Sequence, residues 1–366
     1  MRPTVKLWEI CDILDKKRKP ITQKDRTKWI YPYYWASWVL DYVADYIFDE
    51  DLVLIWEDWA KWWALDNSAF KVSWKVWVNN HAHVIRPHRE KILDDYLVYY
   101  LVSTDLSDYI TWTTVPKLNQ ERLKLIEIPL PPLETQKAIV AKLDQIFAEL
   151  DQTKSEIQKN LDNTDELRKS ALNQAFQGDW EIKKLGEVIK LVSWQDLTTK
   201  EYNSSWNWIP YITWASNIEN ESIIINRWTE FPKSIAKEWD LLITVKWTVW
   251  TMAVLHEPKV HIARQIMAIQ NEEATTIFYI KLFLETYIQK LKNSANWLIP
   301  WISRDVILNI QIPVSPLSEQ EKIVEHLDQV SKEVKELKSQ YQSQLDNLEE
   351  LKKSVLDKAF RWEMGE

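Results

Sequence analysis

Glycine is nearly absent from this chain, which has three glycines in 366 residues, where average usage of about 7% would give roughly 25. Tryptophan, in contrast, occurs 23 times. Backbone turns with positive φ are sterically easy only for glycine, so a chain of this length needs glycine at many loop positions. The shortage therefore predicts that another residue type of this sequence occupies the turn positions where glycine is expected.

Cysteine and long apolar runs are also scarce. The single Cys11 excludes an internal disulfide and a cysteine metal cage. The mean hydropathy is −0.37, and no apolar run approaches the roughly 18 residues of a spanning helix. The first ten residues, MRPTVKLWEI, lack the apolar region of a signal peptide. We expect a cytoplasmic protein with room for two or three domains.

A long internal repeat organises the chain. Residues 128–176 recur as residues 312–360, a constant 184 positions later, with roughly half of the positions identical and no gap. Each copy opens with Ile-Pro-x-x-Pro-Leu-x-x-Gln, where proline disfavours helix, and then continues for more than forty residues without proline. The repeat predicts two long helices.

Both copies carry apolar residues at coiled-coil spacing, which predicts that the helices pair. The second copy has Leu327, Val334, Tyr341, Leu348 and Val355, with Val330, Leu337 and Leu351 between them; the first has Leu143, Leu150 and Ile157 with Ile146 and Leu167, and polar seam residues Thr153, Asn160 and Thr164. Because a whole domain separates the copies, antiparallel pairing within the chain is the simpler solution. A generic dimerising coiled coil is the alternative.

The repeat also tests the shortage of glycine. Gly178 aligns with Trp362 at a shift of 184, and Gly186 aligns with Trp8 at a shift of 178. We therefore predict that most tryptophans are glycines encoded by UGA in the gene, with a genuinely tryptophan-rich protein as the alternative. The predicted turn glycines include Trp35, Trp38, Trp56, Trp59, Trp112, Trp214, Trp247, Trp250, Trp297 and Trp301, while Trp62, Trp77 and Trp180 fit as true tryptophans.

A globular segment precedes each long helix. The predicted domains are residues 1–127 and 179–311, with helical segments 128–178 and 312–366. Strand and helix patterns recur in the same order in both domains, and KVWVNNHAHVIRP from Lys75 is predicted as one strand. The predicted fold is α/β (α+β): duplicated domains joined by two long, antiparallel, coiled-coil-like helices in a pseudo-twofold body. A helix of this length spans roughly 65 Å.

The net charge of −8 does not by itself exclude nucleic acid. Residues 134–169 hold eight acidic and six basic residues, and residues 319–366 hold twelve and eight, so the helical segments carry −6 and the rest of the chain −2. Two nearly neutral domains can each present a basic face to DNA.

Catalytic patterns are missing. The only Pro-Pro pair lies in a helix entry, and no Asn/Asp-Pro-Pro-aromatic motif of a methyltransferase or carboxylate cluster of a nuclease occurs. Glycine at Trp247 and Trp250 would create a GTVG turn, a weak signal. His81 and His83 fall on one strand face but have no third ligand nearby, so a structural or DNA-contacting pair is favoured over a metal site. We expect a non-catalytic protein.

The two IPxxPLxxQ entries, the Leu-Asp-Gln and Leu-Asp-Asn helices and the KLGE-type domain starts resemble the specificity subunit of type I restriction-modification systems. The resemblance covers essentially the whole chain. It implies two target-recognition domains that bind the halves of a split DNA site. It also implies recruitment of modification subunits, which bind S-adenosylmethionine, and of restriction subunits, which use ATP and Mg.

Candidate DNA contacts follow from residue chemistry. Basic side chains in a turn-rich stretch suit phosphates, and amides suit adenine. The candidates for phosphate contact are Lys16, Lys17, Arg18, Lys19, Lys24, Arg26 and Lys28. The candidates for DNA contact from the other loops and strand ends are Asn79, Asn80, His81, Ser216, Asn217, Lys246 and Gln265. The candidate helix positions for subunit assembly are Leu143, Leu150, Ile157, Leu327, Val334, Leu337 and Leu351. The competing hypotheses are a remnant of a fused methyltransferase-specificity protein and a coiled-coil scaffold that does not bind DNA.

Overall fold

The computed structural model describes residues 4–36, 38–58, 65, 68–112, 115–205, 208–219, 221–271, 276–292 and 301–360. The chain divides into two compact units. Unit 1 comprises Met1–Lys159 and Gln342–Glu366, and unit 2 comprises Asn160–Tyr341. None of the described helices is long and apolar enough to cross a membrane.

The first domain and its long helix hold ten strands and three helices in the described residues. In chain order they are β1 (Thr4–Lys6), β2 (Cys11–Ile13), β3 (Lys28–Tyr34), β4 (Val39–Val43), β5 (Phe48–Asp49), β6 (Leu52–Trp56), β7 (Ala69–Val72), β8 (Lys75–Val78), β9 (Ala82–Pro87), α1 (Asp94–Ser103), α2 (Gln120–Lys124), β10 (Glu127–Pro129) and α3 (Leu133–Ala175).

Two four-stranded sheets form the first domain. One has the order β2-β9-β6-β7 and is antiparallel; the other has the order β4-β3-β8-β5, with β3 and β8 parallel. Strand β6 is buried on both faces, which explains its continuous apolar run. Val53 and Ile55 pack with α1, whereas Leu52 and Leu54 pack against the second sheet. The domain is therefore layered as helix, sheet and sheet.

The second domain and the second long helix hold twelve strands and four α-helices in the described residues. They are β11 (Glu181–Lys184), α4 (Leu185–Val188), β12 (Ile189–Val192), β13 (Ile209–Ile212), β14 (Ile218–Glu219), β15 (Ser222–Ile223), β16 (Trp228–Thr229), β17 (Ile235–Lys237), β18 (Leu241–Thr244), β19 (Met252–Val254), β20 (Lys259–Ile262), β21 (Ile266–Asn271), α5 (Ile277–Lys292), α6 (Arg304–Leu308), β22 (Gln311–Val314) and α7 (Leu317–Phe360).

Its sheets have the orders β12-β21-β18-β19 and β16-β13-β20-β17, again with one parallel pair, β13 and β20. These orders match those of the first domain strand for strand. The predicted duplication of an α/β domain is confirmed.

Each unit contains an antiparallel pair of long-helix segments. In unit 1, Asp151 of α3 pairs with Lys352 of α7 at 3.4 Å, and Lys154, farther along α3, pairs with Glu349, earlier on α7. In unit 2, Leu172 of α3 packs with Leu327 of α7. Pairing within the chain is therefore confirmed over a dimerising coiled coil.

The glutamine of each IPxxPLxxQ entry joins a long helix to its domain. Gln136 is fully buried; its Oε1 accepts from the Leu93 amide at 2.9 Å, and its Nε2 donates to the carbonyls of Lys91 and Pro131, both at 2.9 Å. Gln320 accepts from the Thr276 amide in the same way. Each glutamine thus satisfies an amide at the start of the domain helix, α1 or α5.

Parts of the seam prediction were wrong. Leu351 of α7 is 48% exposed and Leu167 of α3 is 53% exposed. In this part of α7 the half-buried residues are Leu345 and Lys352 instead of residues 344 and 351. In α3, Thr153 and Asn160 are exposed, and of the three predicted polar seam residues Thr164 is the buried one.

The predicted strand from Lys75 is also corrected. It is two strands, β8 and β9, because residues 79–81 turn between them. The turn starts at Asn79, whose amide N–H donates to the Tyr34 carbonyl at 2.9 Å and whose side chain accepts from the Asn80 amide. His81 therefore lies in a turn, while His83 is buried in β9, and the two do not share a strand face.

The backbone bears directly on the tryptophans. Among the described residues, eight that are not glycine have positive φ, and five of them are Trp74, Trp208, Trp239, Trp247 and Trp250. The left-handed conformation expected at Trp247 and Trp250 is therefore present. The predicted turn glycines at Trp35, Trp56, Trp112 and Trp214 do not have positive φ, so the steric argument does not apply to them. Trp59, Trp62 and Trp297 lie outside the described residues.

Two of the tryptophans expected to be genuine make specific contacts. The Trp77 indole donates to the Lys19 carbonyl at 2.6 Å. The Trp180 ring covers Gly178 so closely that a Cβ there would lie 2.6 Å from a ring carbon. Both contacts use the indole and fit true tryptophans.

Candidate nucleic-acid interface

Loops at one end of the first domain form a polar and aromatic surface, the unit 1 loop face. It consists of the β3–β4 loop, the end of β6, the β8–β9 turn and the segment around Lys117. The ring of His81 lies 5.0 Å from that of Trp35, and its Nδ1 lies 2.8 Å from Asp58 Oδ1. Asp58 forms a β-bridge with Lys117. Four separate stretches of chain therefore meet here.

A buried ionic network supports this face. Arg18 donates to the Glu57 carboxylate and to the Ala82 carbonyl, and Lys117 lies 2.8 Å from Glu57 Oε1. Burial opposes ionisation of Glu57, yet hydrogen bonds from Lys117 and Arg18 and the charge of His83 outweigh it and lower its pKa. The network fixes the end of β6 against the segment that carries Lys117.

His83 is fully buried within this network. Its Nδ1 lies 2.6 Å from Asp15 Oδ2, and its Nε2 lies 2.7 Å from the Leu118 carbonyl oxygen. Both ring nitrogens therefore face oxygen atoms that can accept a hydrogen bond. Burial acts to raise the pKa of Asp15, but the hydrogen bond and charge of His83, with Arg18, outweigh it and lower the pKa. His83, the second histidine of the HAH pair, therefore has a structural role.

The basic stretch predicted for phosphate contact divides into two groups. Arg18 belongs to the network above, and Arg26 is held by Asp41 at 3.7 Å and lies 4.7 Å from the centre of the Tyr33 ring. The remaining candidates have exposed side chains: Lys16, Lys17, Lys19, Lys24 and Lys28. The five lysines are the ones available to a phosphate backbone.

The DNA-contact candidates in the β8–β9 turn of the first domain also differ in exposure. Asn79 is buried and donates to the Tyr33 hydroxyl at 2.9 Å, so its side chain is occupied. Asn80 is exposed at the tip of the turn. His81 is half-buried against Asp58. Asn80 is therefore the amide of this turn that can reach a base.

In the second domain, loops at the equivalent end form the unit 2 loop face, which carries four cations whose partners lie in two short stretches, residues 193–196 and 213–214. Arg264 pairs with Asp196 at 3.2 Å and lies 5.8 Å from the centre of the Trp214 ring, and Lys246 lies 4.5 Å from the centre of the Trp194 ring. The other two are Arg227, which donates to Thr213 Oγ1 at 3.3 Å, and Arg304, which donates to Ser193 Oγ at 2.9 Å. We call these four residues the basic strip.

The candidates predicted in this domain differ in accessibility. Asn217 is buried and uses its side chain on the amides of Thr213 and Trp214 and the Ile224 carbonyl. Gln265 is buried, with Oε1 3.4 Å from the Ala215 amide. Ser216 is exposed and Lys246 is half-buried. The structure thus leaves Ser216 and Lys246 accessible.

Sequence reasoning missed Arg227, Arg264 and Arg304. The repeat contained a signal for one of them, since Arg264 lies 184 positions after Asn80. The other two are isolated in sequence and join the strip only through long-range contacts, which composition does not show.

The candidate helix positions are mostly covered. Leu143 of α3 is buried with Leu356 of α7 in unit 1, and Leu327 and Val334 of α7 are buried. The partly buried candidates are Leu150, Ile157 and Leu337. Leu351 faces outward. Within the described residues, no group of three or more His, Cys, Asp or Glu side chains is arranged to hold a metal ion.

Comparisons with known proteins agree on one family. A family model described as a type I restriction modification DNA specificity domain matches residues 3–174 and again 177–347. A putative type I restriction enzyme specificity subunit of Haemophilus influenzae is 27% identical over 88% of this chain and 86% of that protein. The type I restriction enzyme MjaVIII specificity subunit of Methanocaldococcus jannaschii is 22% identical over 96% and 91%.

Solved structures show the same fold. The HsdS subunit from Thermoanaerobacter tengcongensis has a TM-score of 0.64 at 22% identity, covering 99% of this chain and 97% of that one. A chain from a study of complex assembly and conformational transition of the type I R-M system has a TM-score of 0.75 at 21% identity, covering 99% of both chains.

Proposed function

Since this chain belongs to the family of type I restriction modification DNA specificity proteins, we propose that it binds double-stranded DNA through its two loop faces. Each loop face contacts one half of a bipartite target. The chain is the non-catalytic subunit that determines DNA sequence specificity.

The observation that carries this proposal is one strand topology used twice with different loop chemistry. The unit 1 loop face presents Asn80 and His81 above an ionic network rich in carboxylates, whereas the unit 2 loop face presents the basic strip. Identical frameworks with different side chains suit two half-sites of different sequence. Phosphate contacts position such domains, and base-edge contacts specify the sequence.

The helical segments are proposed to recruit the partners. Modification subunits bind S-adenosylmethionine and methylate DNA, and restriction subunits use ATP and Mg; we place these cofactors on the partner subunits and the complex in the cytoplasm. The outward-facing Leu351 and Leu167 lie on the paired segments of α7 and α3 without forming their buried seams. Apolar residues exposed on a helix pair suit a further subunit.

Binding to a DNA duplex at several salt concentrations tests the proposal. The assembled complex should methylate a bipartite sequence, and its affinity should fall linearly on a log–log plot against salt. Changing four of the five exposed candidate lysines, Lys16, Lys17, Lys24 and Lys28, to alanine should flatten that slope by about one for each phosphate that is no longer neutralised. Binding that does not respond to salt would favour the scaffold hypothesis. A methyltransferase reading frame continuous with that of this chain would favour the hypothesis of a fused methyltransferase-specificity remnant.

A further inference from the structure

We propose that the tip residues of two equivalent turns discriminate bases: Arg264, in the β20–β21 turn, selects guanine in one half-site, and Asn80, in the β8–β9 turn, selects adenine in the other. This inference rests on the proposed function, in which each loop face contacts half of the target. It adds the residue and the base for each half.

The two turns are structurally equivalent. Strand β8 pairs in parallel with β3 through Tyr33 and Trp77, and β20 pairs in parallel with β13 through Tyr211 and His261. The residues of β8 and β9 correspond to those of β20 and β21 at the constant shift of 184. At that shift Asn80 corresponds to Arg264, so both side chains leave the same point of the same framework.

Asn79 and Gln265, which lie beside the tips, are buried, whereas the two tips are exposed. Asn79 is bonded to Tyr33, and Gln265 is buried against Ala215. The side-chain amide of Asn80 is exposed and has no hydrogen bond within the part of the chain that the structure describes. The Arg264 guanidinium is exposed, and Asp196 is its one carboxylate partner among the described residues. Both tips can therefore accept a new partner.

The backbone at Arg264 supports a functional reason for this residue. Its φ is 48°, in the left-handed region that residues with a Cβ rarely adopt. Strained residues of this kind cluster at active sites and ligand-binding sites. The ion pair from Arg264 Nε to Asp196 Oδ2, at 3.2 Å, holds the guanidinium in one orientation.

The chemistry of the two tips then selects the bases. A guanidinium donates two parallel hydrogen bonds to O6 and N7 of guanine in the major groove, and an asparagine amide pairs with N6 and N7 of adenine. Arg264 lies within the basic strip, whose other cations can hold the flanking phosphates. A phosphate contact by Arg264 would instead affect all sequences equally, and this difference makes the proposal testable.

The test uses the chain assembled with its modification subunits, acting on a plasmid library with randomised half-sites, with methylated positions read by sequencing. The tip variants are Arg264→Gly and Asn80→Ala. The controls are Glu221→Gly, at another left-handed residue of unit 2 with φ 63°, and Lys259→Gln, which removes a charge at the opposite end of β20.

We expect Arg264→Gly to reduce the preference for guanine at one position of one half-site about tenfold or more, and to leave the other half-site unchanged. Its unfolding temperature should equal or exceed that of the parent, because glycine relieves the left-handed strain; loss of folding therefore cannot explain the change. Asn80→Ala should relax an adenine position in the other half-site. Both controls should keep the parental motif.

An unchanged motif in Arg264→Gly, or an equal loss of methylation on every sequence, would overturn the assignment of Arg264 while leaving the proposed function in place. A parental complex that methylates without any sequence preference would instead overturn the proposed function. The two failures are thus distinguishable in one experiment.

Discussion

Replacing four exposed left-handed tryptophans with glycine should stabilise this protein. The sites are Trp74 in unit 1 and Trp208, Trp239 and Trp247 in unit 2, with φ between 63° and 78°. Their indole rings are all more than half exposed, and that of Trp247 is 82% exposed, so glycine removes a Cβ from a forbidden region and loses little buried area. Trp247 separates backbone strain from packing most clearly, because the rings of Trp74 and Trp239 contact other aromatic rings.

The size of the expected stabilisation follows from the free-energy cost of the left-handed backbone conformation. A left-handed conformation costs roughly 1 to 2 kcal/mol for each residue with a Cβ. The three sites of unit 2 together represent about 3 to 6 kcal/mol, a large share of the roughly 5 to 15 kcal/mol that stabilises a typical domain. Trp250 differs, because it is only 6% exposed and its ring packs in the core of unit 2; glycine there would also leave a cavity.

The assay compares glycine with alanine at the same position. Both remove the ring, but alanine keeps the Cβ. At Trp247 the glycine variant should have the higher urea midpoint, by the equivalent of about 1 kcal/mol. At Trp29, an exposed residue in strand β3, alanine should be the more stable by about 0.5 to 1 kcal/mol. The ranking should therefore reverse between the two sites.

Alanine equal to or better than glycine at all four sites would refute the strain argument. The related prediction that UGA encodes glycine in this gene is tested by peptide mass spectrometry of the natural protein. Tryptophan found at Trp247 and Trp250 would disprove the reassignment, whatever the stability measurements show.

Three further predictions follow from the structure. Acid should unfold unit 1 before unit 2. The folded state lowers the pKa of Asp15, so the stabilisation by its carboxylate is complete above the ordinary value of 3.8 and is lost as the pH falls through the folded pKa, whereas burial raises the pKa of Asp240, so acid favours the folded state there. Hydrogen exchange measured for each unit at about pH 6 and about pH 3.5 tests this prediction, and earlier opening of unit 2 would contradict it. Leu327→Ala should destabilise unit 2 by about 2 to 5 kcal/mol, and Leu351→Ala should change stability by no more than about 0.5 kcal/mol, as measured by urea unfolding; equal effects would reject the assignment of the buried row of α7. Gln136→Glu should destabilise unit 1 by about 1 to 3 kcal/mol because two carbonyls lose their buried donor, and an unchanged thermal midpoint would show that this side chain contributes nothing.

Sequence periodicity predicted the framework well because the framework depends on local patterns. Proline followed by a long proline-free stretch predicted α3 and α7 nearly to the residue, and the shift of 184 predicted a second domain like the first. The a/d pattern was less reliable in α7, where Leu337 is half-buried as expected but Leu351 is exposed, and Leu345 and Lys352 are half-buried instead of residues 344 and 351. Heptad counting cannot distinguish adjacent apolar rows when both are partly filled.

Site residues were harder to predict because their availability depends on distant partners. Asn79 and Asn80 are neighbours of the same type, yet one is bonded to Tyr33, 46 residues away, and the other is exposed. Arg18 and Lys17 divide in the same way, since Glu57 and Asp15 hold only the arginine. Residue type indicates what a side chain can bond, and tertiary contacts decide whether it is already bonded.

The sequence by itself determined the duplication, the two long helices, the glutamine at each helix entry and the family, because each of these is a periodic or repeated pattern along the chain. Only the tertiary structure decided which turns are left-handed, which basic residues form the strip on the unit 2 loop face, and which seam positions are buried. The sign of φ at a turn, the exposure of a side chain and its ion pairs arise from contacts between segments far apart in sequence, and no local pattern encodes them.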